Sequence, residues 1–133
     1  MLSRCAMAAL IPKLITLQAC YPQTLPDAPA ATRQTWQLSE IDGASFSARA
    51  TLLIEAEGKV VGQAPCNRYL GQIEGSYPIF KLGRITTTKM ACPELAAEAL
   101  FLGALQTMTR AKLSDTTLLL SNASGTEMVF KAE

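Results

Sequence analysis

Few residues in this chain carry groups that could do chemistry. Histidine is absent from the 133 residues, which removes the commonest general base and the commonest metal ligand. Glu94 and Glu98 are four residues apart and would share one face of a helix, as paired carboxylates for acid and base work do. Simpler roles fit both: Glu94 favours a helix N-terminus, and Glu98 is expected to reach backbone or a basic residue of a neighbouring loop. No Ser/His/Asp or Ser/Lys grouping accompanies Thr86-Thr87-Thr88, so we expect no catalytic centre, no metal site and no cofactor.

The first twenty residues have the pattern of an export signal that ends at a cysteine. Arg4 provides a positive start, and residues 5–17 are mostly apolar. The letters LQAC at 17–20 are similar to the bacterial lipobox, in which the cysteine is acylated and becomes the mature N-terminus. An ordinary leader cleaved elsewhere, or an incidental cysteine after a misassigned start, is the alternative. The pattern predicts a signal peptide over residues 1–19 and lipidation at Cys20.

Residues 20–33 are rich in proline and show no apolar periodicity, which predicts a flexible tether. Residues 34–133 are then predicted to form a single domain. No uninterrupted apolar run approaches the roughly 18 residues that a spanning helix needs, so the lipid is the expected membrane contact. The formal net charge of +1 gives no reason to expect nucleic acid as a partner.

The domain is predicted to be mainly β, because short apolar runs alternate with Gly, Asn, Asp and Ser. The clearest hairpin turns at Glu57-Gly58, between a strand that contains Leu52, Ile54 and Ala56 on one face and a strand over 59–62. The other predicted strands are a first one containing Trp36 and Leu38, three weaker ones over 69–74, 78–82 and 84–88, and a final hairpin over 116–121 and 126–131.

One amphipathic helix is predicted from Pro93 to about Arg110, with Leu95, Leu102, Leu105 and Met108 at helical spacings. A strand-rich chain of this kind buries its apolar faces by curling. We therefore expect a small antiparallel barrel or strongly curved sheet with one helix packed on it.

Four short motifs occur in an order that resembles the HslJ-like META-domain family. They are WQL at 36–38, CNRYLG at 66–71, TKMAC at 88–92 and EALFL at 98–102. The similarity runs from about Gln34 to Lys131, with one departure: Ala64-Pro65 stands where the family usually has glycine before the cysteine. The resemblance implies a lipocalin-like barrel, an envelope location, frequent lipid anchoring and no enzymatic activity. Family members have been linked in general terms to heat shock and to tolerance of the antibiotic novobiocin.

Cys66 and Cys92 are the two cysteines of the predicted domain, and an even pair in an exported domain favours a disulfide. A redox-active pair or a soft metal site is the alternative, although the spacing is far from Cys-x-x-Cys and no third thiolate is near.

Asn67, Arg68 and Tyr69 are the candidate contact loop, if the disulfide holds them outward. The alternative places Asn67 in a turn and Tyr69 in the core. Three methionines are expected to fill the core: Met90, Met108 and Met128.

Together these patterns predict a non-catalytic lipoprotein of the bacterial envelope, facing the periplasm from the outer membrane and monomeric. It is expected to act in stress or antibiotic tolerance by binding an unknown protein or small ligand. The alternative is an enzyme inhibitor or a small-ligand carrier. A rigid protruding Cys66–Tyr69 loop on a filled barrel favours the inhibitor, and a lumen lined by small residues favours the carrier.

Overall fold

The computed structural model describes residues 33–133. The predicted signal peptide, Cys20 and the predicted tether up to residue 32 lie outside these described residues. The elements, in chain order, are β1 Thr35–Ile41, β2 Ala44–Ser45, β3 Thr51–Ile54, β4 Lys59–Gln63, β5 Arg68–Glu74, β6 Lys81–Leu82, β7 Thr86–Thr87, α1 Leu95–Thr107, β8 Arg110–Leu113, β9 Thr117–Ser121 and β10 Glu127–Ala132.

The strands form one antiparallel sheet in the order β6-β5-β4-β3-β1-β10-β9-β8, with β2 added to β1 and β7 to β5. β1 lies in the middle because the first and last long strands pair, with Trp36 opposite Ala132. The outer strands of the sheet also meet. The Phe80 N–H donates to the Thr109 carbonyl at 2.9 Å, and Ile79 bridges Arg110. The sheet is thus a nearly closed barrel, which confirms the predicted fold and leaves little exposed strand edge.

Alternating side chains of the strands fill the interior of the barrel. β1 buries Trp36 and Leu38, and β10 buries Met128 and Phe130, each pair at the two-residue spacing of a strand. Gly62 in β4 is required by close packing, because a Cβ there would lie 2.6 Å from the Tyr69 hydroxyl oxygen. The two clear hairpins are confirmed, although Ala56 belongs to a short 3₁₀ turn rather than to β3.

The predicted helix is confirmed in type, but its end at Arg110 is wrong. The chain leaves the helical conformation at Met108, and Arg110–Leu113 pairs with β9 as a strand that the sequence analysis missed. Pairing with β9 outweighs the local apolar periodicity at this point. The buried residues of α1 are Glu98, Phe101 and Leu105, whereas Leu95 is 45% exposed.

Three smaller predictions also need correction. The predicted strands over 78–82 and 84–88 shrink to β6 and β7, and β2 was not predicted. Met108 and Met128 are buried as expected, but Met90 is 65% exposed. The backbone of Met90 faces inward, because its N–H and its carbonyl both form hydrogen bonds with the Asn67 side chain. Its side chain lies at the surface.

The two ends of the barrel are built differently. At what we call the closed end, α1 packs where β4 joins β5, and Cys66 and Cys92 are bonded there. At what we call the open end lie the β3–β4 turn and the segment after β5. The described chain also begins at the open end, where the Arg33 N–H donates to the Ile54 carbonyl at 3.4 Å. No helix in residues 33–133 has the length and apolar character needed to cross a bilayer.

Candidate functional site

The carboxylate of Glu98 lies inside the closed end, where the residue is 6% exposed. Its Oε1 accepts the N–H groups of Cys66 at 3.0 Å and Asn67 at 2.7 Å, and its Oε2 accepts the Asn67 side-chain amide at 2.7 Å. The expectation that Glu98 reaches a neighbouring loop is therefore confirmed. The acid fixes the β4–β5 connection to α1.

Asn67 completes this network. Its Oδ1 accepts the Met90 N–H at 2.6 Å and the Thr88 hydroxyl at 2.9 Å, and its Nδ2 also donates to the Met90 carbonyl at 3.1 Å. Every donor and acceptor of the Asn67 amide has a protein partner. The Asn67 amide therefore has no free polar group to offer a ligand.

The disulfide predicted between Cys66 and Cys92 is present, with Cα atoms 5.8 Å apart. It joins the β4–β5 connection to the segment that leads into α1. Within residues 33–133 there is no free cysteine and no cluster of three or more His, Cys, Asp or Glu side chains that could hold a metal. The bond therefore ties the β4–β5 connection to the segment before α1.

The candidate contact loop is corrected by the burial of two of its three residues. Arg68 is exposed, but Asn67 is 4% and Tyr69 is 3% exposed. The Tyr69 hydroxyl donates to the Thr51 carbonyl at 2.6 Å, and its ring packs edge-on against Phe101. Burial raises the pKa of the Tyr69 hydroxyl far above its ordinary value of 10.0. The three residues form no common outward surface, because Asn67 lies in the turn network and Tyr69 lies in the core.

The two glutamates of the predicted helix do not form a pair. Glu94 is exposed at the start of α1, and its side chain makes no capping hydrogen bond, while Glu98 points inward. Of the three consecutive threonines, Thr88 bonds Asn67, and Thr86 and Thr87 form the exposed strand β7. None of these groups is arranged as a nucleophile with a base.

The open end contains an apolar cleft of about 440 Å³. Phe80 and Leu118, each 1% exposed, are the most deeply buried residues of its wall, and Tyr77 and Ile79 at its rim are 46% and 51% exposed. The complete lining consists of Ile54, Glu55, Ala56, Glu57, Gly58, Ile73, Gly75, Ser76, Tyr77, Ile79, Phe80, Ala111 and Leu118. The cleft thus combines residues from β3, β5, β8 and β9 with those of two connections.

Two features of the backbone shape the rim of this cleft. Gly75 has φ of 101°, and a Cβ there would lie 3.1 Å from the Ile79 side chain, so glycine allows Ile79 to pack against the wall. Glu57 has φ of 63° and Gly58 has φ of 77°, which makes the β3–β4 turn left-handed at both central residues. The Gln72 amide holds the Glu57 carbonyl at 2.6 Å.

The only charged side chains in the lining are Glu55 and Glu57. Glu55 is 3.9 Å from the Lys59 ammonium, and both side chains are about half exposed. Among the described residues, the Glu57 carboxylate has no ion-pair or hydrogen-bond partner. The Glu57-Gly58 turn is evident from the sequence, but the cleft is not, because its wall is assembled from residues far apart in the chain. A glutamate where asparagine is usual in such a turn was the available signal.

An apolar wall with a few polar groups at its edge is typical of a site that holds a small molecule.

Comparisons with known proteins agree with this fold. A structure from Burkholderia xenovorans solved by NMR is similar at a TM-score of 0.63 and 23% identity, covering 92% of this chain and 99% of that one. A crystal structure of a DUF4847 family protein from Bacteroides vulgatus has a TM-score of 0.60 at 14% identity, covering 77% of this chain and 92% of that one. At these identities the likeness concerns the fold alone. No curated protein matches the chain.

The family comparison covers most of the chain. Residues 29–133 match the META domain, the family whose motifs the sequence resembles, and this span includes the disulfide, the Glu98 network and the cleft. The chain belongs to the META domain family.

Proposed function

We propose that this chain is a non-catalytic lipoprotein of the bacterial envelope that binds a small apolar molecule in the cleft at its open end. The observation that carries the proposal is the cleft itself. Its volume of about 440 Å³ lies in the range of roughly 300 to 1,000 Å³ that small-molecule sites occupy. A role in stress or antibiotic tolerance would then act through the bound molecule.

The lipid anchor is supported by the LQAC pattern at 17–20 and by the disulfide, which belongs to an oxidising compartment such as the periplasm. Twelve residues lie between Cys20 and Arg33, and these thirteen residue-to-residue steps span at most about 45 Å. Since Arg33 lies at the open end, an acylated Cys20 would keep the cleft within this distance of a membrane.

Mass spectrometry of protein from the membrane fraction tests the anchor. We expect a diacylated or triacylated Cys20 at the mature N-terminus. A mature form with an unmodified cysteine, or one that begins at another residue, would remove the anchor from the proposal. The binding function would stand, because it depends on residues 54–118 only.

A carrier is better supported than an inhibitor. The inhibitor hypothesis requires the Cys66–Tyr69 loop to protrude, and two of its four residues are buried. The carrier hypothesis expected a lumen lined by small residues, which the filled barrel does not have, but the mouth of the barrel offers an accessible apolar cleft. The middle of the barrel is filled by large side chains such as Trp36 and Phe130, so binding is confined to the cleft at the end.

Titration of the full chain with 1-octanol, followed by NMR, tests the binding function. We expect saturable shifts at Ile73, Ile79 and Ala111. The variant Ala111→Phe places a ring in the cleft and should abolish these shifts, whereas Ala99→Phe, on the exposed side of α1, should retain them. Absence of saturable binding, or equal loss in both variants, would refute the proposal.

A further inference from the structure

We infer that the cleft selects cationic amphiphiles, with the apolar body of the ligand against the cleft wall and its charged nitrogen beside Glu55 and Glu57. The inference rests on the proposed function, because it names the chemical class of ligand for the same cleft. It adds a charge selectivity that an apolar cleft alone would not have.

The charged side chains that line the cleft have one sign. Of the thirteen lining residues, Glu55 and Glu57 carry charge, and no lysine or arginine is among them. Lys59 lies 3.9 Å from Glu55 and partly neutralises it, which leaves Glu57 as the main unpaired charge of the described rim. A ligand with a carboxylate or phosphate head would meet this charge with no cation in the wall to offset it.

The surroundings of Glu57 strengthen its effect on a bound ligand. Ile54, Ile73 and Ile79 form the apolar wall beside the turn, and a low-dielectric wall reduces the screening of a neighbouring charge. The turn is held in place by the bond from Gln72 to the Glu57 carbonyl at 2.6 Å. The backbone of Glu57 is therefore fixed, and its exposed side chain starts from the edge of the apolar space, where the head group of an amphiphile would lie.

Size also limits the ligand. A cleft of about 440 Å³ is at the small end of the range for ligand sites. A single short alkyl chain or one small ring system suits this space, and a two-chain phospholipid does not. Eight-carbon molecules are therefore suitable probes.

Three probes with the same chain and different heads test the inference: n-octylammonium, 1-octanol and octanoate. Their affinities for the full chain are measured by NMR titration in detergent-free buffer at pH 7 and low salt. We expect octylammonium to bind about tenfold more tightly than octanol, and octanoate to bind more weakly than octanol. The advantage of octylammonium should shrink in 0.5 M NaCl, because salt screens exposed charges, while octanol affinity should not fall.

Variants assign the selectivity to residues. Glu57→Gln should remove most of the octylammonium preference and leave octanol binding unchanged, and Glu55→Gln should have a smaller effect because Lys59 already pairs with Glu55. Glu94→Gln, which removes an exposed acid outside the cleft, is the matched control and should retain the full preference.

The outcomes separate this inference from the proposed function. If octanol binds in the cleft and all three affinities agree within twofold, the charge selectivity is refuted and the binding function stands. Tighter binding of octanoate, or a preference that survives Glu57→Gln, would likewise refute the selectivity. If none of the probes binds, both the function and the inference fail.

Discussion

The closed and open ends of this barrel treat their polar groups in opposite ways. At the closed end, Glu98 and Asn67 bond each other and the backbone of two segments, and a disulfide joins the same segments. At the open end, no side chain of the described residues covers the apolar wall of the cleft, and none bonds the Glu57 carboxylate. Glu98 and the two cysteines, which are candidates for chemistry in the sequence, instead stabilise the fold. Binding is to be sought where groups remain without protein partners.

Two turns of the same shape make this contrast specific. Asp42-Gly43, beyond the end of β1, and Glu57-Gly58 both have positive φ at each residue. Aspartate tolerates this conformation, and the Asp42 carboxylate accepts the Glu127 N–H at 2.9 Å. Glutamate is a poor choice for the same conformation, and its carboxylate makes no bond in the described structure. The Asp42 turn is optimised for stability, and the Glu57 turn is not.

The largest loss of stability is expected from Glu98→Ala. The substitution leaves the N–H groups of Cys66 and Asn67 and the Asn67 amide without an acceptor inside the protein. We expect the free energy of unfolding to fall by about 4 kcal/mol, since each buried unsatisfied group costs about 1 to 3 kcal/mol. Urea unfolding measures this loss. Glu94→Ala, an exposed acid on the same helix, should change it by less than about 0.5 kcal/mol. Equal effects of the two variants would contradict the structural role of Glu98.

Removal of the disulfide is expected to cause the next largest loss of stability. Cys66→Ser combined with Cys92→Ser should lower the free energy of unfolding by about 3.5 kcal/mol, because the bond closes a loop of 26-residue separation and restricts the unfolded chain. If the ends are independent, octanol binding at the open end should persist in the folded fraction of this variant. Loss of octanol binding from the folded fraction would show that the closed end supports the cleft.

The sequence predicts the closed end better than the open end. Motifs around Cys66 and Cys92 are contiguous, so the disulfide and the reach of Glu98 to a nearby loop follow from local order. The cleft wall draws Ile54, Ile79 and Leu118 together across three strand pairings, and no local pattern contains that information. Strand β8 was missed for the same reason, since its partner β9 overrides the helical spacing of Met108.

Alkaline pH should weaken the closed end through its buried tyrosine. Tyr69, at the closed end, is buried, and its folded-state pKa is raised. Because the pKa of this hydroxyl is near 10 in the unfolded chain, the unfolded state releases the proton first as the pH rises. The stability that Tyr69 contributes is therefore complete below about pH 10. Above it, the free energy of unfolding falls by up to about 1.4 kcal/mol per pH unit. Tyr69→Phe should reduce this slope relative to the unmodified chain, and urea unfolding at a series of alkaline pH values measures it. Identical slopes in the two proteins would contradict the burial of the Tyr69 hydroxyl.

The smallest expected effect is a gain in stability, and it tests the comparison between the two turns most directly. Glu57→Asn places a residue that tolerates positive φ at a position where φ is 63°, and should raise the free energy of unfolding by about 0.5 to 1 kcal/mol. Asp42→Asn is the matched control, and because Asp42 is already suited to its turn we expect no gain there. The same Glu57→Asn variant should lose its preference for octylammonium over octanol, since asparagine carries no charge. Thermal unfolding and probe titration on one sample measure both quantities. A stability gain accompanied by loss of the preference would mean that Glu57 serves the ligand at a cost to the fold, whereas no gain would show that the two turns are equally well fitted to their residues.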